Sequence, residues 1–276
     1  MSNGKERIDV LLVERGHFES REKAKAAVMA GLVFMDGVRL EKSGMKVPKT
    51  SQFTVKGEPH PYVGRGGLKL EHAIRAFGLR MDGAVMLDIG ASTGGFTDCA
   101  LQHGASFVYA IDVGYNQLDW SLRSDARVKV MERFNFRYAK PGDIVGPPPN
   151  FAATDVSFIS LKLILPPARV LLLPGSPLVA LIKPQFEAGR KLVGKSGVIR
   201  DAGVHREVLR DILSFAEEIG FTLRGLTFSP ITGGEGNIEF LALWNIPGGE
   251  PARSIHSEQL IDEVVHTAHQ TLNRLT

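Results

Sequence analysis

Two lysines and two carboxylates stand where apolar runs of this sequence meet polar residues. Lys69 lies in GRGGLKLEHAI, at the start of a helical stretch. Asp155 ends the strand-like run in FAATDVSFISL, Lys183 ends another in LVALIKPQFE, and Glu239 opens the last one in EGNIEFLALW. Each alone reads as an ordinary surface or ion-pair residue. As a set at the strand-end rim of one sheet, two amines and two acids can orient an alcohol and take its proton. A free lysine has a pKa of ~10.4, and an amine base working near neutrality needs an environment that costs its charge about 4 kcal/mol. A neighbouring ammonium favours that change and neighbouring carboxylates oppose it. Two roles therefore stand for Lys183: base, or a group that orients a hydroxyl while positioning carries much of the catalysis.

A second feature is MLDIGASTGGFT, Met86 to Thr97, where an apolar run meets Asp88 and then a turn with Gly90, Gly94 and Gly95. A strand, a glycine-rich turn and a helix start make a site for a nucleotide-like group. The dinucleotide fingerprint G-x-G-x-x-G lacks its second glycine here, so pyrophosphate is not the first ligand to consider. Asp88 suits a ligand with a positive centre or an amino group, and S-adenosylmethionine has both. Asp112 closes the run SFVYAID, 22 residues after Gly90, where a carboxylate grips ribose hydroxyls in folds of this kind. The competing reading is a tight turn before a packed helix with two surface acids.

These residues need a scaffold. From residue 68 onward apolar strands alternate with helices: strands at 84–89, 106–112, 128–131, 151–156, 178–183, 222–228 and 237–244, and a helix at 204–219 among those between them. This is an α/β pattern with a mostly parallel sheet. The last two strands have no clear helix between them and suit an antiparallel hairpin. That makes a Rossmann-like seven-stranded S-adenosylmethionine-dependent methyltransferase domain at 68–250, with a C-terminal helical tail, 251–276, packed on it. Residues 57–67, rich in Gly and Pro, read as a linker, and its Arg65 is either an RNA contact or a solvated hinge residue. Residues 1–56 read as a small α+β unit: two helices, RIDVLLVERG and SREKAKAAVMAG, then a hairpin turning at Asp36-Gly37, then the strand FTVKG.

Composition narrows the classes. The chain has 276 residues, a net charge of +3, 43% hydrophobic and 23% charged residues, as in ordinary globular proteins. No apolar run reaches the length of a membrane span, and the N-terminus has no signal-peptide block. Cys99 is the only cysteine, and the eight histidines show no metal spacing. A cytoplasmic protein without a metal or a membrane role is expected. Residues 1–60 hold 11 Lys/Arg against 8 Asp/Glu, so all the excess positive charge lies there and favours a polyanion-binding module.

SREKAKAAVMAGLVFMDG resembles the αL RNA-binding domain, and that resemblance implies that Arg21, Lys23 and Lys25 face RNA phosphates. Lys69, Asp155, Lys183 and Glu239 match the Lys-Asp-Lys-Glu tetrad of FtsJ-like ribose 2′-O-methyltransferases. With VGRGGLKLE, LDIGASTGGFTD, DVGYNQLDWSLR, DVSFISL, IKPQFE and GNIEF, the chain resembles the TlyA family, also called haemolysin A, from about Arg7 to Trp244. The resemblance implies 2′-O-methylation of ribosomal RNA, on cytidines of one or both subunits, with S-adenosyl-L-methionine as cofactor and ribosomal RNA or ribosomal subunits as partner. It implies cofactor contacts around Asp88, Gly90, Ala91, Ser92 and Gly94, then Asp112, with Asn135 at the adenine. Asn135 equally fits a turn in RFNFR. The loop 186–200, with Arg190, Lys191, Lys195 and Arg200, either clamps RNA or is a solvated loop. Base-nitrogen methylation fits less well, because the place of an Asn/Asp-Pro-Pro-aromatic motif reads Asp155-Val-Ser-Phe. A nucleophilic cysteine is also missing near these loops. A membrane-lytic haemolysin and an RNA-binding protein with a vestigial methyltransferase fold are the alternatives; the apolar pattern opposes the first and the complete tetrad the second.

Overall fold

The computed structural model describes residues 4–29, 31–40, 42–55, 60–194, 197–233, 236–248, 254–255 and 258–272, without the side chains of Arg39, Arg190 and Lys191. Lys195 and parts of the 251–276 tail thus lie outside the described residues. The chain divides into two compact units, Met1–Arg65 and Gly66–Thr276.

The first unit runs β1 (Lys5–Arg7), α1 (Ile8–Glu14), α2 (Arg21–Met29), β2 (Val33–Met35), β3 (Val38–Arg39), β4 (Lys46–Pro48) and β5 (Phe53–Val55). Asp36 and Gly37 both take positive φ, 51° and 79°, as a two-residue turn between twisted strands requires. The three-stranded sheet has the order β3-β2-β5, and β1 pairs antiparallel with β4. Neither β1 nor β4 is among the expected strands. Ile8, Leu11 and Leu12 of α1 and Ala24, Ala27 and Val28 of α2 meet Val33, Val47 and Phe53 in one small core.

The second unit begins with α3 (Gly66–Phe77), so Gly66 and Gly67 are helical. It continues β6 (Val85–Ile89), α4 (Gly95–Gln102), β7 (Phe107–Ile111), α5 (Trp120–Arg123), β8 (Val128–Met131), β9 (Phe151–Thr154), α6 (Leu165–Leu171) and β10 (Pro177–Ile182). Then come α7 (Pro184–Glu187), α8 (Arg190–Val193), α9 (Ala202–Glu218), β11 (Thr222–Phe228), β12 (Phe240–Asn245) and α10 (Glu258–Leu272). The sheet order is β11-β12-β10-β9-β6-β7-β8. β12 runs antiparallel to both its neighbours, and the pairs from β10 through β8 are parallel. This is the expected Rossmann-like seven-stranded sheet with a terminal antiparallel hairpin. Helices on both sides leave the central strands buried on both faces, which is why VMLDI, FVYAI and PLVALI read as continuous apolar runs. Asp201 caps α9 by accepting from the Gly203 and Val204 amides. Ile261, Val265 and Ala268 of α10 are wholly buried and join the core of this unit.

The last strand starts later than expected, at Phe240 rather than Asn237. Asn237 instead spends its side chain on another segment: its Oδ1 accepts from the Ile199 amide at 3.0 Å and its Nδ2 donates to the Gly197 carbonyl at 3.0 Å. Asp155, Lys183 and Glu239 each sit one residue outside a strand, at the rim where parallel strands end.

Candidate active site

The tetrad is one connected ionic chain. Lys69, in the first turn of α3, reaches Glu239 Oε2 at 2.7 Å and Asp155 Oδ2 at 3.2 Å. Lys183 reaches Asp155 Oδ1 at 2.5 Å. Asp155 therefore carries an ammonium on each oxygen, and Glu239 balances the second one. Lys69, Lys183 and Glu239 are buried, and each meets a side chain of opposite sign, as buried ionisable groups require. Burial works against the charge of Lys69, but Asp155 and Glu239 together outweigh it and hold its pKa above the ordinary lysine value. Burial likewise works against the Asp155 carboxylate, and the two lysines overcome it, leaving its pKa below the usual range.

Three partners of the tetrad are not among the expected site residues. Lys183 Nζ donates to Ser157 Oγ at 3.1 Å, and Gln185 Nε2 approaches Glu239 Oε1 at 3.5 Å. Gly233 lets the Glu239 carboxylate in: a Cβ there would stand 2.1 Å from Oε1. Ser157 and Gln185 each lie two residues beyond a tetrad member, which is the one signal the sequence offers for them.

Two cavities meet at this chain. One of about 330 Å³ is lined by Gly90, Ser92, Asp112, Asn135, Phe136 and Asp155, among others. The other, of about 890 Å³, is lined by Lys183, Gln185, Phe186, Gly197, Asn237 and Glu239. Ser157 and Phe158 line both. Asp155 thus faces the smaller cavity while its partner Lys183 faces the larger.

The smaller cavity is shaped by the glycine turn. Gly90 has φ 89°, and a Cβ there would lie 2.8 Å from the Asp155 carbonyl oxygen, so only glycine lets the turn close against the end of β9. Ser92 holds a left-handed φ of 50°, and Gly94, also left-handed, precedes α4. Ala91 is buried. Asp112 ties the turn together: its Oδ2 accepts from the Ser92 amide at 2.8 Å and its Oδ1 from the Gly114 amide at 2.6 Å. A carboxylate has lone pairs to spare beyond these two bonds. Asn135 accepts from the Arg137 amide at 3.3 Å, capping a short turn of helix while lining the cavity.

Asp88 departs from its expected role of offering charge to a ligand. Its side chain is wholly inaccessible and accepts from Thr97 Oγ1 of α4 at 2.6 Å, and its other oxygen has no partner among the described residues. Burial raises its pKa to about 7, with the Thr97 bond opposing only in part. The acid supports the turn from beneath instead of facing the cavity.

In the first unit, Arg21 is half-exposed and pairs with buried Asp9 at 3.0 Å. Lys23 pairs with Glu19, which lies two residues ahead of α2, and Lys25 is half-buried. Arg65 is the last residue of this unit and is half-buried. In the second unit Arg200 is exposed. Among the described residues no cluster of three or more His, Cys, Asp or Glu could hold a metal ion, and no helix is long and apolar enough to cross a membrane.

The profile of FtsJ-like methyltransferases matches residues 62–245, and that of the S4 domain matches residues 6–52. The chain is 57% identical over 273 residues, 99% of its own length and 97% of the other, to YqxC of Bacillus subtilis (strain 168), which is named as an rRNA methyltransferase. It is 40% identical to TlyA of Mycobacterium tuberculosis (strain ATCC 25618 / H37Rv), named a 16S/23S rRNA (cytidine-2′-O)-methyltransferase, across 86% of this chain and 88% of that one. A solved structure from Streptococcus thermophilus, named as a hemolysin, superposes with a TM-score of 0.78 at 50% identity, covering 99% of each chain. With its tetrad at the seam of two cavities and an S4 domain ahead of it, this chain belongs to the FtsJ-like methyltransferase family.

Proposed function

We propose that this protein transfers the methyl group of S-adenosyl-L-methionine to the ribose 2′-hydroxyl of cytidine in ribosomal RNA. The observation that carries this reading is the position of the tetrad across the seam between a nucleoside-sized cavity and a larger one. The smaller cavity fits the cofactor. Its glycine turn closes where a Cβ would collide, and Asp112 lines it with lone pairs free to accept ribose hydroxyls. The backbone around Gly90, Ala91, Ser92 and Gly94 and the Asn135 side chain complete the cradle. When bound, S-adenosylmethionine supplies an electrophilic methyl group.

Lys183 lines the larger cavity, where its Nζ would hydrogen-bond the incoming 2′-hydroxyl and orient it for transfer. The neutral form of Lys183 would take the hydroxyl proton, and the Asp155 carboxylate, in contact with its Nζ at 2.5 Å, stabilises the ammonium that results. Lys69 and Glu239 hold Asp155 in place for that transfer. Arg21, Lys23, Lys25 and Arg65 present positive charge to RNA phosphates, with the S4-type unit, residues 1–56, delivering the substrate, either free ribosomal RNA or an assembled subunit, in the cytoplasm. Arg200, exposed three residues after the cavity-lining Gly197, adds positive charge.

The test is mass-spectrometric mapping of ribosomal RNA from a strain lacking the gene, before and after incubation with the purified protein and cofactor. The expected product is 2′-O-methylcytidine at discrete sites, in the small subunit, the large subunit or both. A methyl group on a base, or none on RNA, overturns the assignment.

A further inference from the structure

The first unit buries an acid where an RNA-binding surface would gain from having none. Asp9, in the first turn of α1, has a fully inaccessible side chain, yet two half-exposed arginines close on it from outside. Arg7 holds it in a fork, Nε to Oδ1 at 2.9 Å and Nη2 to Oδ2 at 3.1 Å. Arg21, the first residue of α2, donates Nη2 to Oδ2 at 3.0 Å. The Val10 amide adds a bond to Oδ1 at 3.1 Å, and the Asp9 amide is itself tied to the Ser43 carbonyl. Those bonds, from Arg7 first and then Arg21, overcome burial and hold the Asp9 pKa at about 2, so the acid is ionised at any working pH.

Two guanidiniums on one carboxylate leave a net positive charge and unspent donors. Arg7 Nη1 and Arg21 Nε and Nη1 make no hydrogen bond among the described residues. Each guanidinium is a planar fork whose second edge matches a phosphate oxygen pair, and an anchored fork loses less freedom on binding than a loose one. A surface tie between two helices needs neither the second arginine nor the buried charge.

We propose that Asp9 is a positioning residue that aims Arg7 and Arg21 together as a preorganised clamp for an RNA phosphodiester. This rests on the reading that the protein acts on RNA. Asp9 touches no phosphate itself; it sets the spacing and plane of two groups that do.

The sign of one substitution separates this from simple electrostatics. Asp9→Asn removes a negative charge, so attraction to a polyanion alone predicts tighter RNA binding. Loss of the clamp predicts weaker binding, by roughly tenfold. The assay is filter binding of the full-length protein to a labelled transcript of 16S ribosomal RNA over a salt series, with thermal melting to confirm folding. Arg21→Lys is the second variant: it keeps the charge, sits on the surface and breaks the fork. It is expected to weaken binding severalfold while leaving the slope of log affinity against log salt unchanged. Glu22→Gln, which removes an exposed acid one residue from Arg21, is expected to bind as well as wild type or better. Asp9→Asn binding as tightly as wild type or more so overturns the clamp. Should Asp9→Asn fail to fold, wild-type affinity in Arg21→Lys overturns it by itself. Wild-type protein that binds no transcript at low salt overturns the RNA reading itself, an outcome distinct from failure of the clamp.

Discussion

Asp88 and Asp155 leave adjacent parallel strands of the same sheet. Asp88 pairs across the ladder with Ala153, so Asp155 lies two residues nearer the carboxyl end. Those two residues separate opposite chemistries. Asp88 points under the turn into the helix that follows, meets one neutral hydroxyl, and is pushed by burial to a pKa of about 7. Asp155 clears the last rung and receives two ammoniums, which override burial and hold it ionised. Burial alone makes an acid neutral; the charge of its partners decides whether it stays ionised. One acid thus supports the glycine turn from below, and the other pairs with two lysines at the rim.

The sharpest way to break this division is to remove Lys183 from the rim. Lys183→Ala is expected to slow single-turnover methyl transfer by roughly 10²–10⁴ at saturating cofactor, the usual worth of a positioned acid–base group. Cofactor affinity measured by calorimetry stays near wild type, because the glycine turn and Asp112 are untouched. Lys183→Arg does not restore the rate, since a guanidinium cannot release its proton at working pH and its fork is larger. A near wild-type rate in the arginine variant would show that only positive charge is needed there.

Asp88 supplies the other arm of the comparison through pH. Its ordinary value is 3.8 and its folded value about 7. Below about pH 4 the acid is protonated in both states. Between about 4 and 7 the folded protein keeps a proton that the unfolded chain has released, so stability falls as pH rises through this window and levels off above it. The full drop is of the order of 4 kcal/mol. Asp88→Asn removes the titration, so its urea-unfolding free energy loses this slope whatever its absolute level. Equal slopes in the two proteins between pH 5 and 7 would mean that Asp88 is ionised under the turn.

The central strands were legible because a sheet buried on both faces writes itself as contiguous apolar runs bounded by Gly and Pro, as in VMLDI and PLVALI. β1 and β4 were not, since three-residue strands are too short to show alternation. Asp155, Lys183 and Glu239 at strand ends and Lys69 at a helix start each read alone as ordinary ion-pair residues, and they stood out in the sequence only as a set. The direction of Asp88 was not legible: an acid closing an apolar run looks the same whether it turns down onto Thr97 or up toward a ligand. Ser157, Gln185 and Gly233 escaped for a related reason, because their partners are set by tertiary approach. The same holds for Asp9, whose partner Arg21 lies twelve residues away on another helix.

Gly90 links the two acids, as it follows the strand of Asp88 and packs on the backbone of Asp155. Gly90→Ala places a side chain at φ 89° and 2.8 Å from a carbonyl oxygen. Strain at such a φ costs about 1–3 kcal/mol before the collision is counted. The expected result is a lower melting temperature together with weaker cofactor binding. If only one of the two changes, the turn and the end of β9 do not act as a unit.

Asp112 gives the smallest effect, and one with two separable parts. Asp112→Ala removes the proposed bonds to the cofactor ribose, worth about 1.5–3 kcal/mol for hydrogen bonds to a charged group. It also frees the Ser92 and Gly114 amides, which the carboxylate holds at 2.8 and 2.6 Å. Ser92 keeps its left-handed backbone only while its surroundings hold it there, so the turn loosens as well. Comparing ligands divides the two parts. Calorimetry with S-adenosylhomocysteine and with its analogue lacking the ribose hydroxyls is expected to show a large loss for the first in Asp112→Ala. The second is expected to lose less, retaining only the cost of the loosened turn. Equal losses for both ligands would assign Asp112 to the turn alone and leave the ribose to another group.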